Sequence, residues 1–242
     1  MKNNPKPNSI KLYLSAEHDC NYLADIQAQS VFVNPEEMMS QAIYTHLMQQ
    51  GFRRSSDYVY RPHCHNCQAC ISVRLNVQQF VLSRSQKRCK NKNKHLIVQP
   101  QASEFNEAHY QMYSNYVQSR HAGGGMDEPD KDKYMNFLTS KWGHTVFFEF
   151  KEEDRLIALA VTDVINDGFS AVYTFFDPAH ELQKRSLGVN SIIWQIEEAQ
   201  RRGLKWLYLG YWIKDCQKMS YKNNYQPLEY FYNNAWHSQA PR

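Results

Sequence analysis

No stretch of this chain approaches the roughly 20 consecutive apolar residues that a helix needs to span a bilayer. The mean hydropathy of −0.69 points the same way. The opening residues, MKNNPKPNSIKLYL, lack the apolar core of a secretion signal, so a cytoplasmic protein is expected. Internal repeats and low-complexity tracts are absent, which argues against solenoid and linker architectures. Acid is also missing from one long stretch: no Asp or Glu occurs between Tyr58 and Ser103. A second Cys-x-x-Cys pair downstream of the first, which would complete a zinc-finger signature, is missing too.

What is present is sufficient for a folded core. The 242 residues are 42% hydrophobic and 14% aromatic, enough for one large domain or two small ones. The net charge of +4 is modest but unevenly placed. Arg61, Arg74, Arg84, Lys87, Arg88, Lys90, Lys92 and Lys94 all fall in the acid-free stretch. A solvated basic face is the plain reading of such a run. Its length without any compensating acid favours a polyanion, RNA or DNA, as partner. The densest part, RSQKRCKNKNK over 84–94, has no aromatic residue, which favours phosphate contacts over base stacking.

The chain has 6 cysteines. Clustered cysteines in a reducing compartment point to a metal more than to disulfides. Cys64, Cys67 and Cys70 have a spacing that lets three thiols converge on one ion, with His63 and His65 beside them and Cys20 as a possible fourth ligand. Zinc or an iron–sulfur cluster would fit; a set of buried thiols at a turn is the alternative. Cys89 reads as a surface thiol and Cys216 as packing.

Periodicity divides the chain into elements. Residues 11–14 and the pairs Tyr58–Tyr60 and Ile71–Leu75 read as strands. Asn34-Pro35-Glu36-Glu37 reads as a helix start, with Met38, Met39, Ala42, Ile43 and Leu47 as its buried stripe and Gly51 as its end. Ser103 reads as the cap of a helix carrying Phe105, Ala108, Met112, Tyr113 and Tyr116. Arg120-His121-Ala-Gly-Gly-Gly-Met126 reads as a linker or a loop that closes over substrate, and Pro129 as another helix start. TVFFEF, RLIALAVTDVI and FSAVYTFF then form an antiparallel meander, with Asn166-Asp167-Gly168 as a hairpin turn.

The most informative unit runs from Phe169 to Lys222. A strand ends at Asp177-Pro178, and a basic turn, Lys184 to Gly188, feeds a helix. In that helix Leu187, Val189, Ile192, Ile193, Ile196 and Ala199 share one face. Ser186 is the expected cap, Gly203 the expected stop, and Leu204–Tyr211 the next strand. A helix N-terminus behind two cations suits a phosphate. A domain boundary is expected near residues 100–106, giving an N-terminal domain over 1–105 and a second domain over 106–242.

The meander, Gly-containing turn, helix and strand resemble the core of the GCN5-related acetyltransferase (GNAT) fold. Six blocks resemble something more specific: YRPHCHNCQAC, SRSQKRCKNKN, RHAGGGM, AVTDVINDGFSAVYTFFDP, RSLGVNSIIWQIEEA and LYLGYWIKDCQKMSYKNNYQPLE. Together they are similar to the bacterial aspartate/glutamate leucyltransferases, relatives of the arginyl-tRNA–protein transferases. The resemblance implies an α+β fold, with a small N-terminal domain on a GNAT-like one. It implies an enzyme that moves leucine from leucyl-tRNA to the N-terminal amine of proteins beginning with Asp or Glu, marking them for degradation. It also implies that Cys20, Cys64, Cys67 and Cys70 are the positions at which some relatives hold an iron–sulfur cluster or haem.

Such a reaction needs no cofactor for transfer, because the ester is already activated and the amine, with a pKa of about 7.7–8.0, is partly neutral at cytoplasmic pH. The protein must align the two groups, stabilise an oxyanion and pass on a proton. The aminoacylated end is expected in a cleft where the strand ending at Phe176 splays from the strand ending at Tyr211. Asp177 is the expected base or orienting acid, and Tyr173 and Tyr211 the expected hydroxyls. Arg185, Ser186 and Gly188 are expected to take the 3′ end, and Arg84, Lys87, Arg88, Lys90, Lys92 and Lys94 the tRNA backbone. Arg74, Arg120, Lys214 and Lys218 are candidates for reading the acceptor's acid. Aromatics around Trp212 are candidates for the leucyl pocket. Two rival readings remain: an acyl-CoA N-acyltransferase, and a non-catalytic RNA-binding protein with a zinc-stapled domain.

Overall fold

The computed structural model describes residues 10–120 and 130–241. The glycine loop after Arg120 and the helix start expected at Pro129 lie outside the described residues. Strands β1 (Leu12–Leu14), β2 (His18–Asp19), β3 (Gln27–Ala28) and β4 (Ser30–Val33) lead to helix α1 (Gln41–Gln49), then β5 (Arg53–Ser55), β6 (Tyr58–Pro62) and β7 (Ile71–Asn76). Helix α2 (Arg84–Lys92), β8 (Ile97–Ala102), α3 (Glu107–Arg120) and α4 (Lys131–Leu138) follow. The rest is β9 (His144–Glu152), β10 (Arg155–Ile165), β11 (Gly168–Phe176), α5 (Leu187–Arg201), β12 (Trp206–Trp212), α6 (Gln217–Ser220), β13 (Leu228–Tyr232) and β14 (Ala235–His237). The class is α+β.

An 8-stranded sheet in the order β14-β13-β7-β12-β11-β10-β9-β8 organises the molecule, beside a 4-stranded sheet, β1-β4-β6-β5. The meander β9–β10–β11 is antiparallel, and α5 crosses over so that β12 lies parallel to β11. Strand β7 is inserted between β13 and β12, and β8 extends the far edge beside β9. Two strands that precede residue 105 are thus hydrogen-bonded into the sheet of the second half.

Alternation along the strands sorts side chains to two faces. Ile71, Val73, Leu75, Phe169 and Leu207 meet Ile192, Ile196 and Ala199 of α5. On the other face, Trp206 and Tyr208 pack under α1 residues Tyr44, Leu47 and Met48. Phe147, Leu159, Val161 and Phe175 pack there under α3 and α4.

The helix expected to start at Asn34-Pro35 begins instead at Gln41. Ser40 Oγ accepts from Ile43 N and caps it. Asn34 Oδ1 accepts from Glu36 N and Asn34 O from Glu37 N, so the earlier segment closes as a turn. A buried pair fastens the N-terminal part to the sheet. Arg54 on β5 meets Asp163 on β10 through Nε and Nη2 at 2.5 and 2.7 Å. The same guanidinium donates to Leu138 O and Thr139 O at the end of α4, and Thr145 Oγ1 donates to Asp163.

Candidate functional site

Strands β11 and β12 pair only over Gly168–Ser170 against Trp206–Tyr208, then separate. Three local features produce the parting. Gly168 allows the close start, since a Cβ there would stand 2.2 Å from Trp206 O. Beyond it, β11 bulges: Val161 faces Tyr173 while Thr162 faces Ala171, leaving Val172 unpaired. On β12 the register against β7 shifts at Gly210, whose φ of +80° suits glycine. The splay expected between Phe176 and Tyr211 is thus present in the strand pairing.

One bank of the splay is braced by α2. Ser83 and Gln86 form a capping box that starts this helix. Gln86, Cys89 and Asn93 turn inward. Gln86 Nε2 donates to Asn224 O, Asn93 Nδ2 to Arg185 O, and the Cys89 thiol to Arg185 O and Ser186 O. Cys89 is therefore buried rather than the surface thiol expected from its basic neighbours, and burial pushes its pKa up. Lys92 Nζ donates to Lys184 O, and Lys90 pairs with Glu197 of α5 at 2.5 Å. Arg84, Lys87, Arg88 and Lys94 are exposed and form no ion pair among the described residues.

The turn that α2 supports opens α5. Arg185 is engaged by Asn93, Glu152 and His95 at 3.0, 2.8 and 2.9 Å. Ser186 is left-handed, with φ +55°, and no side chain caps α5. A non-glycine residue there is strained by of order 1–3 kcal/mol, and the α2 contacts to the Arg185 and Ser186 carbonyls help hold it. Gly188 lies over Phe176, whose ring would be 3.5 Å from a Cβ. Tyr116 and Arg120 of α3 approach the same ring.

The remaining expected residues are distributed as follows. Asp177 accepts from Arg155 Nη2 at 2.6 Å and from Ala179 N at 2.9 Å. Tyr173 sits among Tyr113, Tyr116 and Phe137, and burial raises its pKa. Tyr211 is buried with its hydroxyl against Gly51 O and Tyr60 O, and burial raises its pKa strongly. Arg74 pairs with Glu229 at 2.7 Å, its guanidinium 3.7 Å from the Trp206 ring centroid and 4.0 Å from that of Trp236. Trp212 is buried against Tyr230. Lys214 and Lys218 are exposed after β12.

Sequence reasoning passed over Lys222. It is 6% exposed, donates to Tyr211 O at 2.6 Å, and has no carboxylate partner among the described residues. Burial, then the nearby Arg53 charge, lowers its pKa to about 8 from a usual 10.5. A lysine with a depressed folded pKa binds protons more weakly than the unfolded chain, so stability rises with pH from about 8 to 10.5 and falls as pH drops through 8. Between pH 7.5 and 9.5 Lys222 should add about 2 kcal/mol to stability, read as the difference in urea unfolding between the parent and Lys222→Met, because the raised Cys70 and Cys89 thiols act in the opposite direction in both proteins. Equal pH dependence in the two proteins would remove Lys222 as the source.

On the face opposite α5, at the end of β12, lies a cavity of about 950 Å³. Tyr211, Ser72, Tyr60 and Arg61 line one side, and the cysteine segment the other. Cys64 and Cys67 face each other in a tight turn, and the Cys64 thiol contacts the Gln29 backbone. Burial, then Cys20, Cys64, Cys67 and Cys216, pushes the Cys70 thiol up to about 12. All 6 cysteines are free. Among the described residues no group of three or more His, Cys, Asp or Glu is arranged to hold a metal ion. No helix among them is long and apolar enough to cross a membrane.

A mixed sheet thus parts beside a cationic helix, and a cavity lined by no Asp or Glu lies on its other face. Residues 18–88 match the family model described as "Arginine-tRNA-protein transferase, N terminus", and residues 108–232 the model for the C terminus of the same family. Two curated relatives are each named "Aspartate/glutamate leucyltransferase". That of Alcanivorax borkumensis is 47% identical, covering 96% of this chain and 95% of its own. That of Saccharophagus degradans is 48% identical, covering 95% and 97%. Among solved structures, L-PGS from Bacillus licheniformis overlays 61% of this chain and 48% of that one, with a TM-score of 0.46 and 10% identity. The chain belongs to the arginine-tRNA-protein transferase family.

Proposed function

We propose that this protein transfers leucine from leucyl-tRNA to the α-amine of proteins that begin with Asp or Glu. The observation that carries this reading is the near-full-length identity to aspartate/glutamate leucyltransferases. The placement of α2 on the turn before α5 supports it. Arg84, Lys87, Arg88 and Lys94 would follow the tRNA backbone, while the uncapped first turn of α5 faces the aminoacylated end. The meander, the bulge and the splay agree with a GNAT-like arrangement in which donor and acceptor meet between parted strands.

The amine attacks the ester carbonyl, a C–N bond forms, the C–O bond to the ribose breaks, and the amine's proton ends on the ribose oxygen. The donor is already activated, so holding the groups in line supplies much of the rate. Asp177 stands at the end of β11. One bond to each of its oxygens leaves further acceptor sites for an amine. Asp177→Asn is expected to lower turnover at saturating substrates; unchanged turnover would assign the carboxylate to the turn alone. Cys20, Cys64, Cys67 and Cys70 are not arranged as a metal-binding group among the described residues, and no step of the transfer is routed through a metal or cluster.

The direct test is transfer of radiolabelled leucine from leucyl-tRNA to model proteins beginning with Asp, Glu, Arg or Ala. Label on the Asp and Glu proteins alone is the expected result. Activity with an acyl-CoA and no RNA would replace this reading.

A further inference from the structure

The cavity beside β12 is unusual in its charge. None of its lining residues is Asp or Glu, whereas Arg61 lines it. Arg61 donates through Nη1 to Gln50 O at 3.0 Å and rests over the Phe52 ring, but no carboxylate pairs with it among the described residues. The rest of its guanidinium fork makes no hydrogen bond among the described residues. Ser72, which also lines the cavity, is 2% exposed, and its hydroxyl has no hydrogen-bond partner among the described residues. A buried hydroxyl left without a partner costs about 1–3 kcal/mol, and an acceptor bound beside it would recover that cost.

The surroundings add to this. Arg53 is 5% exposed; its Nη1 and Nη2 donate to Met48 O, Phe52 O and Val73 O, its Nε has no partner among the described residues, and its guanidinium lies over the Tyr208 and Tyr211 rings rather than on an acid. Lys222 is a second buried cation without a carboxylate, bonded to the backbone of Tyr211, which itself lines the cavity. Arg53 and Lys222 repel each other behind the cavity wall and neither meets a carboxylate among the described residues, which favours an anion nearby. A volume of about 950 Å³ is ample for the end of an extended peptide.

We infer that this cavity receives the first residues of the acceptor protein, that Arg61 reads the N-terminal Asp or Glu side chain, and that the Ser72 hydroxyl donates to the same carboxylate. The inference rests on the leucyltransferase reading and supplies the acid-reading cation which that reading lacks. The guanidinium fork matches a carboxylate in two parallel hydrogen bonds, which an amide or an alkyl side chain cannot accept in the same way. It also places the acceptor on the face opposite α5, so that the two substrates approach the splay from opposite sides.

The test uses the full chain and fluorescent peptides that begin with Asp or with Asn, in a binding assay without tRNA and a transfer assay with leucyl-tRNA. The parent should prefer the Asp peptide by about tenfold or more, as expected when one partner of a paired charge is removed. Arg61→Ala should bind both peptides alike, Arg61→Lys should recover part of the preference, and Ser72→Ala should weaken the Asp peptide a few-fold. Circular dichroism and leucyl-tRNA affinity should stay at the parent's values in each variant. An Arg61→Ala protein that still prefers Asp, or a parent without preference, overturns the inference. A parent that prefers the Asp peptide but transfers no leucine keeps this site and overturns the leucyltransferase reading instead.

Discussion

Asp163→Ala is expected to lower the unfolding free energy by about 3–5 kcal/mol, read from urea unfolding at neutral pH. The Arg54 and Asp163 side chains are 1% and 2% exposed, so removing the acid leaves a buried guanidinium without its counter-charge. Domains of ordinary stability have about 5–15 kcal/mol in total, so the loss should be visible as a large shift of the midpoint. The site explains the size of the effect. One guanidinium joins β5, β10 and the end of α4, and Asp163 also takes the Thr145 hydroxyl from β9. Thr145→Val removes one donor and should cost about 1 kcal/mol. Arg54→Met combined with Asp163→Leu should recover much of the deficit left by Asp163→Ala, because the uncompensated charge is gone while volume is kept. A single variant as stable as the parent would mean that the clamp does not hold the N-terminal part to the sheet.

The part of the fold that local pattern specifies was legible. Leu187 to Ala199 has helical spacing and forms α5; the meander strands alternate and are bounded by turn residues. Asn34-Pro35-Glu36-Glu37 has every local mark of a helix start and yet closes as a turn on the Asn34 side chain and carbonyl, and the helix is capped by Ser40, six residues on. The insertion of β7 between β12 and β13 has no local signal, since the pairing of Ser72 with Tyr211 and Phe231 is set by burial on both sides. Strands β13 and β14 were detectable: Asn233 and Asn234, both at positive φ, form a hairpin turn between aromatic runs.

The candidate site divides in the same way. The cationic run and the turn before α5 were visible as composition and motif. The inward side of α2 was visible too, had its spacing been followed: Gln86, Cys89 and Asn93 recur at helical intervals within the basic run. Arg53, Arg61, Ser72 and Lys222 belong to no motif. They are distinguished by what they lack among the described residues, a carboxylate for the cations and any partner for the hydroxyl, and only the folded chain shows that.

Replacing Arg84, Lys87, Arg88 and Lys94 together by Gln is expected to weaken leucyl-tRNA binding by roughly a hundredfold or more near 0.15 M salt. The same variant should flatten the plot of log affinity against log salt by about 3–4, close to one for each phosphate no longer neutralised. These side chains are exposed and take no part in the bonds that seat α2, so circular dichroism and the melting temperature should stay near the parent's. Lys90→Gln and Lys92→Gln form the contrasting pair. They break the Lys90–Glu197 pair between α2 and α5 and the Lys92 bond to Lys184 O in the turn before α5, so they should loosen the seating of α2 and lower turnover more than they change the salt slope. Filter binding over roughly 50–300 mM salt, with leucyl-tRNA and uncharged tRNA in parallel, separates the two effects. Binding of an Asp-initiated peptide should be unaltered in the quadruple variant, because its cavity opens on the other face of the sheet. If the salt slope does not move, the nucleic acid does not lie along α2, and the splay beside it loses its claim to the charged end of the tRNA.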